Sequence, residues 1–415
     1  MQKMDAYKVH LTRAALDNFA HTLVWTAMMI YQIQVVGLTP LQLVLVGTTM
    51  EMTIFLFEIP TGIIADVYSR RLSMIIGVFM IGVAYLVAGV FPTFAAILIS
   101  NVIWGIGYTF TSGAYDAWMV DELGQERTGE AFVRSGQVAR AVSIVAIPVS
   151  ALLGSIHLAI PIIVGALTLI GTWVFLLLFM PENGFKPTPS EDRNTWQKFG
   201  DTFVSRLRVI RGRPALMSIL AVGLFYGLFS EAWDRLWQIH LINNIGLPQF
   251  VNLPPIVWFS VIGIAEMAVG IVAGEALRRR FNMNSGRAMG RGLFWMTATM
   301  IVGLVVYGLT SSFIVAMLAF FAFNIARGLT GPVYGTWSNM HIDSNVRATV
   351  LSMQSQTDAI GQIVGGPPLG AIGERRLPLA FLASATILSP ALWLLRHSER
   401  YQPVEEAAEA VAVEA

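Results

Sequence analysis

Long apolar stretches alternate with short polar connections along nearly the whole chain. A helix needs about 20 residues to cross the hydrocarbon core of a bilayer, and a window of that length finds twelve such stretches. Their limits are 14–36, 41–64, 72–91, 94–117, 135–156, 159–180, 214–239, 255–274, 292–309, 313–337, 348–372 and 377–395. The pattern predicts an all-α integral membrane protein with twelve transmembrane helices.

One connection is much longer than the others. Residues 181–213 are rich in proline, glycine and charged side chains, as is typical of a linker between domains. The linker separates a predicted N-terminal six-helix bundle, 1–180, from a C-terminal six-helix bundle, 214–398, which is followed by an acidic tail, 399–415.

The composition agrees with a membrane protein and excludes several other classes. Of 415 residues, 55% are hydrophobic and 13% are charged, whereas soluble domains carry about 25% charged residues. The net charge of +1 offers no basic field for nucleic acid. The absence of cysteine excludes disulfides and thiolate metal sites. Without a G-x-x-x-x-G-K-[ST] motif, an ATP-driven pump is unsupported.

The distribution of arginine and lysine predicts the orientation in the membrane. Connections after odd-numbered spans hold only Arg375 and Arg376, and the remaining basic residues between spans follow even-numbered spans. Basic residues concentrate on the cytoplasmic side of membrane proteins. We therefore expect a multi-pass protein of the cell (inner) membrane with both termini and the linker in the cytoplasm.

The end of span two recurs at the end of span eight. FEIPTGIIADVYSRR, 57–71, aligns with AEMAVGIVAGEALRRR, 265–280, and the offset of 208 residues (266 minus 58) places Glu58 on Glu266. A second, weaker echo pairs NVIWGIG in span four with NIARGLT in span ten. Two halves related by a parallel repeat are typical of secondary transporters, whose substrate site lies near the bilayer midplane.

The first copy of the repeat resembles the signature loop of the major facilitator superfamily, G-x-L-A-D-R-x-G-R-K-R. Gly62, Ala65, Asp66 and Arg70 match this pattern and Arg71 is a near match. The positions that depart from it include Val67, Ser69 and Leu72. The resemblance implies the major facilitator fold.

The resemblance also implies a gating role for Gly62, Asp66, Arg70 and Arg71, in which the aspartate helps to lock the outward-facing state. We expect the Asp66 carboxylate to accept from the free N–H groups of a neighbouring helix N-terminus, with both arginines in the headgroup layer. The alternative is that these charges only set the topology.

Eleven charged residues lie inside the predicted spans. They are Asp17, Glu51, Glu58, Asp116, Arg140, Glu231, Asp234, Arg235, Glu266, Arg327 and Asp358. Spans three, six, nine and twelve contain none of them, and the resemblance implies that these four are the outer helices, which face lipid.

Four acids are candidates for proton coupling. Glu266 and Asp358 lie about ten residues into their spans, near the midplane, and Glu58 and Glu51 are also deep. A carboxyl group in low-dielectric surroundings can bind and release a proton near neutral pH. The alternative for Glu58 is a hydrogen bond to a neighbouring helix that serves packing.

Substrate contacts are predicted at Asp17, Glu231, Asp234 and Arg327, of which Asp17 and Glu231 lie nearer the cavity mouths. Arg235 could instead neutralise a neighbouring acid.

Two further features lie within the predicted spans. His21 could join a proton relay, or simply be hydrogen-bonded inside the bundle. The GGPPLG sequence, 365–370, predicts a break in span eleven.

Export of an amphipathic compound, cationic or neutral, in exchange for protons is the favoured function. The acid-rich helices and a similarity to twelve-span drug:proton antiporters support it, although Asn101 and the surroundings of Pro148 depart from antiporter motifs. The alternatives are proton-coupled uptake of a small metabolite and a lipid flippase of the same fold. An intramembrane metalloenzyme using His21 and acids of spans one and two is less supported. We expect a monomer with a small-molecule substrate, protons and membrane lipids as partners, without nucleic acid, cofactor or metal.

Overall fold

The computed structural model describes residues 3–187, 214–248, 253–342 and 347–398. Within these ranges the secondary structure consists of twelve long α-helices and one π-helical turn, Leu241–Ile245. The helices are α1 Ala6–Gln34, α2 Pro40–Val67, α3 Arg70–Val90, α4 Phe94–Leu123, α5 Gln125–Ile156, α6 Ala159–Phe179, α7 Pro214–His240, α8 Pro255–Arg280, α9 Gly286–Leu309, α10 Phe313–Met340, α11 Arg347–Arg375 and α12 Leu377–Ser398. The predicted all-α class is confirmed. Residues 188–213 of the predicted linker and the predicted tail lie outside the described residues.

Ten of the twelve helices are long and apolar enough to cross a membrane. The other two, α1 and α11, are long enough but more polar, and each packs extensively against two neighbouring helices of its own unit. A helix covered by protein can carry polar side chains that a lipid-facing helix cannot.

Several helices continue beyond the spans that hydropathy finds. α5 begins at Gln125, ten residues before the predicted start at 135, and α8 ends at Arg280 rather than 274. Gly124, with φ of +75°, lets α5 start one residue after α4 ends. Hydropathy detects only the part of a helix in the hydrocarbon, so polar helical extensions are missed.

The chain forms two compact units. Within the described residues, the first unit contains α1, α2 from Thr49 onwards, α3 to α6 and the start of α8 up to Ser260. The second contains Thr39–Thr48 at the start of α2, then α7, the rest of α8, and α9 to α12.

The two units repeat the same helix packing. In the first, α3 packs on α4 and α6, and α1 packs on α5 and α6. In the second, α9 packs on α10 and α12, and α7 packs on α11 and α12. Each pair in one unit corresponds to the pair six helices later in the other, so the weak sequence repeat reflects a repeated three-dimensional arrangement.

Two glycines permit a close crossing of α3 and α4 in the first unit. A Cβ added to Gly77 on α3 would lie 2.5 Å from the carbonyl oxygen of Gly107 on α4, and one on Gly107 would lie 2.9 Å from the oxygen of Gly77. One turn away, the Ser73 hydroxyl donates to the Phe110 carbonyl at 2.8 Å. Small residues at such crossings let the backbones of membrane helices approach.

An aromatic cluster around Trp233 forms one part of the core of the second unit. Trp233 on α7 is 2% exposed, and its ring centroid lies 3.9 Å from that of Phe323 and 5.1 Å from that of Tyr307. Its indole N–H donates to Asn324 Oδ1 at 3.3 Å. These contacts fix the rotation of α7 relative to α10 and so direct the next residue, Asp234, towards α10.

Candidate functional site

An ion pair between α7 and α10 forms the centre of the candidate site. Arg327 donates to both carboxylate oxygens of Asp234, at 2.5 and 2.8 Å. Two parallel N–H···O bonds are the strongest geometry for this pair of groups. The two side chains are 34% and 40% exposed, so the pair is partly accessible.

A second ion pair lies one turn away on α7. Arg235 Nε is 3.4 Å from Glu231 Oε2, and the Glu231 side chain is 3% exposed. Gly47, at the start of α2, packs directly on both side chains, and a Cβ there would collide with the Glu231 carboxylate. The neutralisation of Arg235 by a neighbouring acid, one of the sequence-based alternatives, is therefore the arrangement observed.

Glu266 on α8 and Asp358 on α11 lie within electrostatic range of Arg327 and Asp234. Asp358 accepts a hydrogen bond from Gln362 Nε2 at 2.8 Å. In the described part of the chain, neither acid forms an ion pair within 4.0 Å. Both acids therefore lie beside an arginine whose guanidinium group is already bound to another carboxylate.

The charges of this group, which we call the ion cluster, do not balance. It contains four acids, Glu231, Asp234, Glu266 and Asp358, and two arginines, Arg235 and Arg327. If all six were ionised, the net charge would be −2 (four minus two). Isolated charges are costly to bury, so a region with excess carboxylates favours binding of protons or another cation.

Asp358 lies where α7 and α11 cross at close distance. A Cβ on Gly227 would collide with the Asp358 carbonyl oxygen, and one on Gly361 would lie 2.7 Å from the Leu224 oxygen. Gly365 makes a similar contact with the Leu228 backbone. Because these glycines have no side chains, the two helices can pack closely. This packing places Asp358 beside α7, the helix that contains Asp234.

The predicted break in span eleven is wrong, because α11 remains helical from Arg347 to Arg375. The glycines of the GGPPLG sequence serve packing instead. A Cβ on Gly366 would lie 2.8 Å from Thr48 Oγ1, and one on Gly370 would lie 3.0 Å from Val44 Cβ. The start of α2 fits against this small-residue face.

In the first unit, Asp17 is bound within its own helix. Arg13 Nε is 2.8 Å from Asp17 Oδ2, and the Arg13 guanidinium lies 3.8 Å from the centre of the Tyr115 ring. His21 Nδ1 lies 2.8 Å from the Asp17 carbonyl oxygen, to which it can donate. The hydrogen-bonded alternative for His21 is thus the arrangement present, and its ring also packs against Tyr85.

Glu51 and Glu58 occupy a different environment from the ion cluster. Both lie on α2 within electrostatic range of Tyr108 on α4, whose ring stacks on Trp104 at 5.3 Å. Glu58 is exposed and Glu51 is partly buried. The structure places both of these predicted proton carriers near the Tyr108 ring.

The signature loop between α2 and α3 is held by acids that sequence reasoning missed. Arg70 forms a close ion pair with Asp121 at the end of α4, while Asp66 is 3.8 Å from Arg70 and 53% exposed. The N-terminus of α3 receives a carboxylate from Glu182, which accepts from Arg71 N at 2.8 Å and from the Ser69 hydroxyl at 2.7 Å.

One expectation about this loop is therefore wrong. The carboxylate at the N-terminus of α3 belongs to Glu182 and not to Asp66. The Arg70 side chain is 17% exposed and bound to the end of α4. Arg71 donates to the Leu177 carbonyl at the end of α6, where Lys3 binds the next carbonyl at 3.2 Å. Free carbonyl groups at a helix C-terminus attract cations.

Asp121 and Glu182 were missed because each lies at the edge of an apolar stretch, where charges are normal. The available signal was the PEN sequence after span six, since a carboxylate two residues beyond a predicted span can reach a neighbouring helix N-terminus. Gly62 has no atom within 4 Å of an added Cβ, so it makes no close packing contact.

Among the described residues, no group of three or more potential metal ligands occurs.

Comparisons with known proteins identify one family. The model of the Major Facilitator Superfamily matches residues 14–366. By sequence, the chain is similar to the MFS-type transporter YxaM of Bacillus subtilis (strain 168), with 21% identity over 357 residues, 86% of this chain and 85% of that protein.

Two solved structures show the same fold at low sequence identity. The nucleoside transporter NupG matches with a TM-score of 0.74 and 13% identity, over 96% of this chain and 100% of that one. A bacterial homologue of the human lysosomal transporter Spinster matches with a TM-score of 0.70 and 15% identity, over 95% of this chain and 96% of that one.

Proposed function

Because the chain belongs to the major facilitator superfamily, we propose that it exports amphipathic compounds, cationic or neutral, across the inner membrane in exchange for protons. Membership of the family makes it a multi-pass membrane transporter and not an enzyme. The direction of transport, the coupling ion and the substrate class are the proposed part.

The main support for this proposal is the excess of acids over arginines in the ion cluster. Asp234 binds Arg327 through two hydrogen bonds, so this arginine is not free to form a full ion pair with Glu266 or Asp358. The latter two acids are the proposed proton carriers. Loss of their protons would leave excess negative charge in the membrane, which a cationic substrate could neutralise.

The remaining residues have assigned roles in this proposal. Asp234 and Arg327, which are partly exposed, make the first polar contacts with substrate. Asp17 and Glu231 are ion-paired and would contact substrate only after those pairs open. Glu51 and Glu58, near the exposed Tyr108 ring, would bind protons or the cationic part of the substrate at a later stage.

Transport by purified protein in liposomes with an imposed pH gradient tests the coupling. The probe is tetraphenylphosphonium, a hydrophobic cation, after a growth screen with toxic compounds in an efflux-deficient host. Glu266→Gln and Asp358→Asn should each abolish gradient-driven accumulation, while downhill exchange of the probe continues. Loss of both activities would instead indicate a damaged fold.

The matched control is Glu275→Gln, on the same helix as Glu266. Glu275 is bound to Arg278 and Arg279 and lies outside the ion cluster, so its replacement should leave accumulation unchanged. Full accumulation in both the Glu266 and Asp358 variants would refute their assignment as proton carriers.

The direction of proton movement separates export from the alternative of uptake. One observation favours uptake of a small metabolite: the Arg327 guanidinium is partly exposed and could bind a substrate carboxylate once its pair with Asp234 opens. Movement of substrate and protons in the same direction would establish that alternative. Transfer of a fluorescent phospholipid between leaflets would support the flippase.

A further inference from the structure

A groove between α9 and α10 lies apart from the ion cluster. Its volume is about 270 Å³. The side chains that line it are mostly apolar and small, and they include Ala298 and Val302 on α9 and Ala319 and Ala322 on α10. The helices touch closely at Gly303, where a Cβ would lie 3.0 Å from the Phe323 Cβ. The groove is therefore bounded by rigid helices rather than by mobile loops.

One end of the groove is marked by an exposed tryptophan and two arginines. Trp295 is 69% exposed and lines the groove. Arg291 and Arg287 precede it by four and eight residues, so all three lie on one face of α9. Both arginines are exposed, and neither has an ion pair within 4.0 Å among the residues that the structure describes.

The order of groups along this face matches one leaflet of a bilayer. Arginines bind phosphate, tryptophan favours the interface, and an apolar groove accommodates a hydrocarbon chain. Basic groups next to grooves between membrane helices attract anionic headgroups. A second copy of the chain, docked through this face in the same membrane orientation, would bring its own arginines against these, so the charge favours a lipid.

We propose that the α9–α10 groove binds an anionic phospholipid of the surrounding bilayer. One acyl chain lies against Ala298 and Val302, and Arg287 and Arg291 hold the phosphate. Binding does not depend on the transported substrate, so the site can be tested without knowing it.

Quenching of tryptophan fluorescence by brominated lipids tests the site. The purified full-length protein is placed in nanodiscs with increasing fractions of brominated phosphatidylglycerol or brominated phosphatidylcholine. The chain has 11 tryptophans, so the fluorescence of Trp295 is obtained by subtracting the fluorescence of Trp295→Phe from that of the wild type. The fluorescence of Trp393, obtained in the same way from Trp393→Phe, is the matched control, because Trp393 on α12 is also largely exposed.

Half-maximal quenching of Trp295 should require at least fivefold less phosphatidylglycerol than phosphatidylcholine, since each basic residue near the membrane contributes about a fivefold preference. Trp393, which has one exposed arginine three residues away, Arg396, should show a weaker preference that does not change when Arg287 and Arg291 are replaced. The double variant Arg287→Gln/Arg291→Gln should lose the preference, and Arg287→Lys/Arg291→Lys should retain most of it. Ala298→Leu should weaken quenching by both lipids, because its side chain fills the groove.

Three results would overturn the proposal. They are equal quenching of Trp295 by the two lipids, an unchanged preference in the double glutamine variant, and disulfide formation between copies carrying Trp295→Cys. The last result would show that a second copy covers this face.

Discussion

Substitution of Gly361 by alanine should loosen the helix crossing that positions Asp358. The added Cβ would lie 2.7 Å from the Leu224 carbonyl oxygen, 2.8 Å from Leu228 N and 2.9 Å from the Gly227 Cα. Ordinary contact begins at 3.4 Å, so α11 must move away from α7 by about 0.7 Å (3.4 minus 2.7). All three atoms belong to the backbone and cannot rotate away. Overpacking of this kind costs about 1 to 3 kcal/mol.

Gly335→Ala on α10 is the matched control, because its Cβ would meet no atom within 4 Å. That variant should be neutral or stabilised by about 1 kcal/mol, since alanine favours the helix. With about 2 to 4 °C per kcal/mol for units of this size, Gly361→Ala should unfold in detergent roughly 2 to 12 °C below the control.

The same displacement moves Asp358 relative to Arg327, so Gly361→Ala should also slow gradient-driven transport. Equal midpoints for the two alanine variants, measured by the change in intrinsic fluorescence on heating, would refute the close crossing. A lower midpoint with unchanged transport would show that the position of Asp358 is not critical.

Three other predictions concern the signature loop and the topology. Asp66→Asn should slow transport and leave the unfolding midpoint nearly unchanged. Asp121→Asn should lower both the transport rate and the midpoint, because Asp121 makes the closer and less exposed pair with Arg70. A larger fall in the midpoint for Asp66→Asn than for Asp121→Asn would contradict this geometry. Glu182→Gln should destabilise the first unit by about 0.5 to 2 kcal/mol, as expected for a lost helix cap, and an unchanged midpoint would show that water replaces the carboxylate. Ser190→Cys introduces the single cysteine of the chain, and an impermeant thiol reagent should fail to label it from outside intact cells; external labelling would reverse the predicted orientation.

The sequence was sufficient for the fold class because membrane spans are determined by local composition. Twelve apolar stretches gave twelve helices, and the match of Glu58 with Glu266 indicated two similar halves. Helix ends were less accurate, as at Gln125, because helices extend into the polar interface where hydropathy carries no signal.

The candidate site depended on contacts that no local pattern encodes. The sequence identified Asp234, Glu266, Arg327 and Asp358 as costly charges inside spans. It did not show that Arg327 binds Asp234 and leaves the other two acids beside that pair, because the four residues come from four helices far apart in the chain.

The glycines of α11 and the acids at the helix ends show the same limit. The sequence alone suggested a helix break at 365–370 and did not single out Asp121 or Glu182. Packing against α7 and α2 keeps α11 helical through its prolines, and the position of α3 gives Glu182 an N-terminus to cap. Local sequence determines which residues are costly to bury, whereas the partners that offset this cost are set by the tertiary structure, because they lie on neighbouring helices.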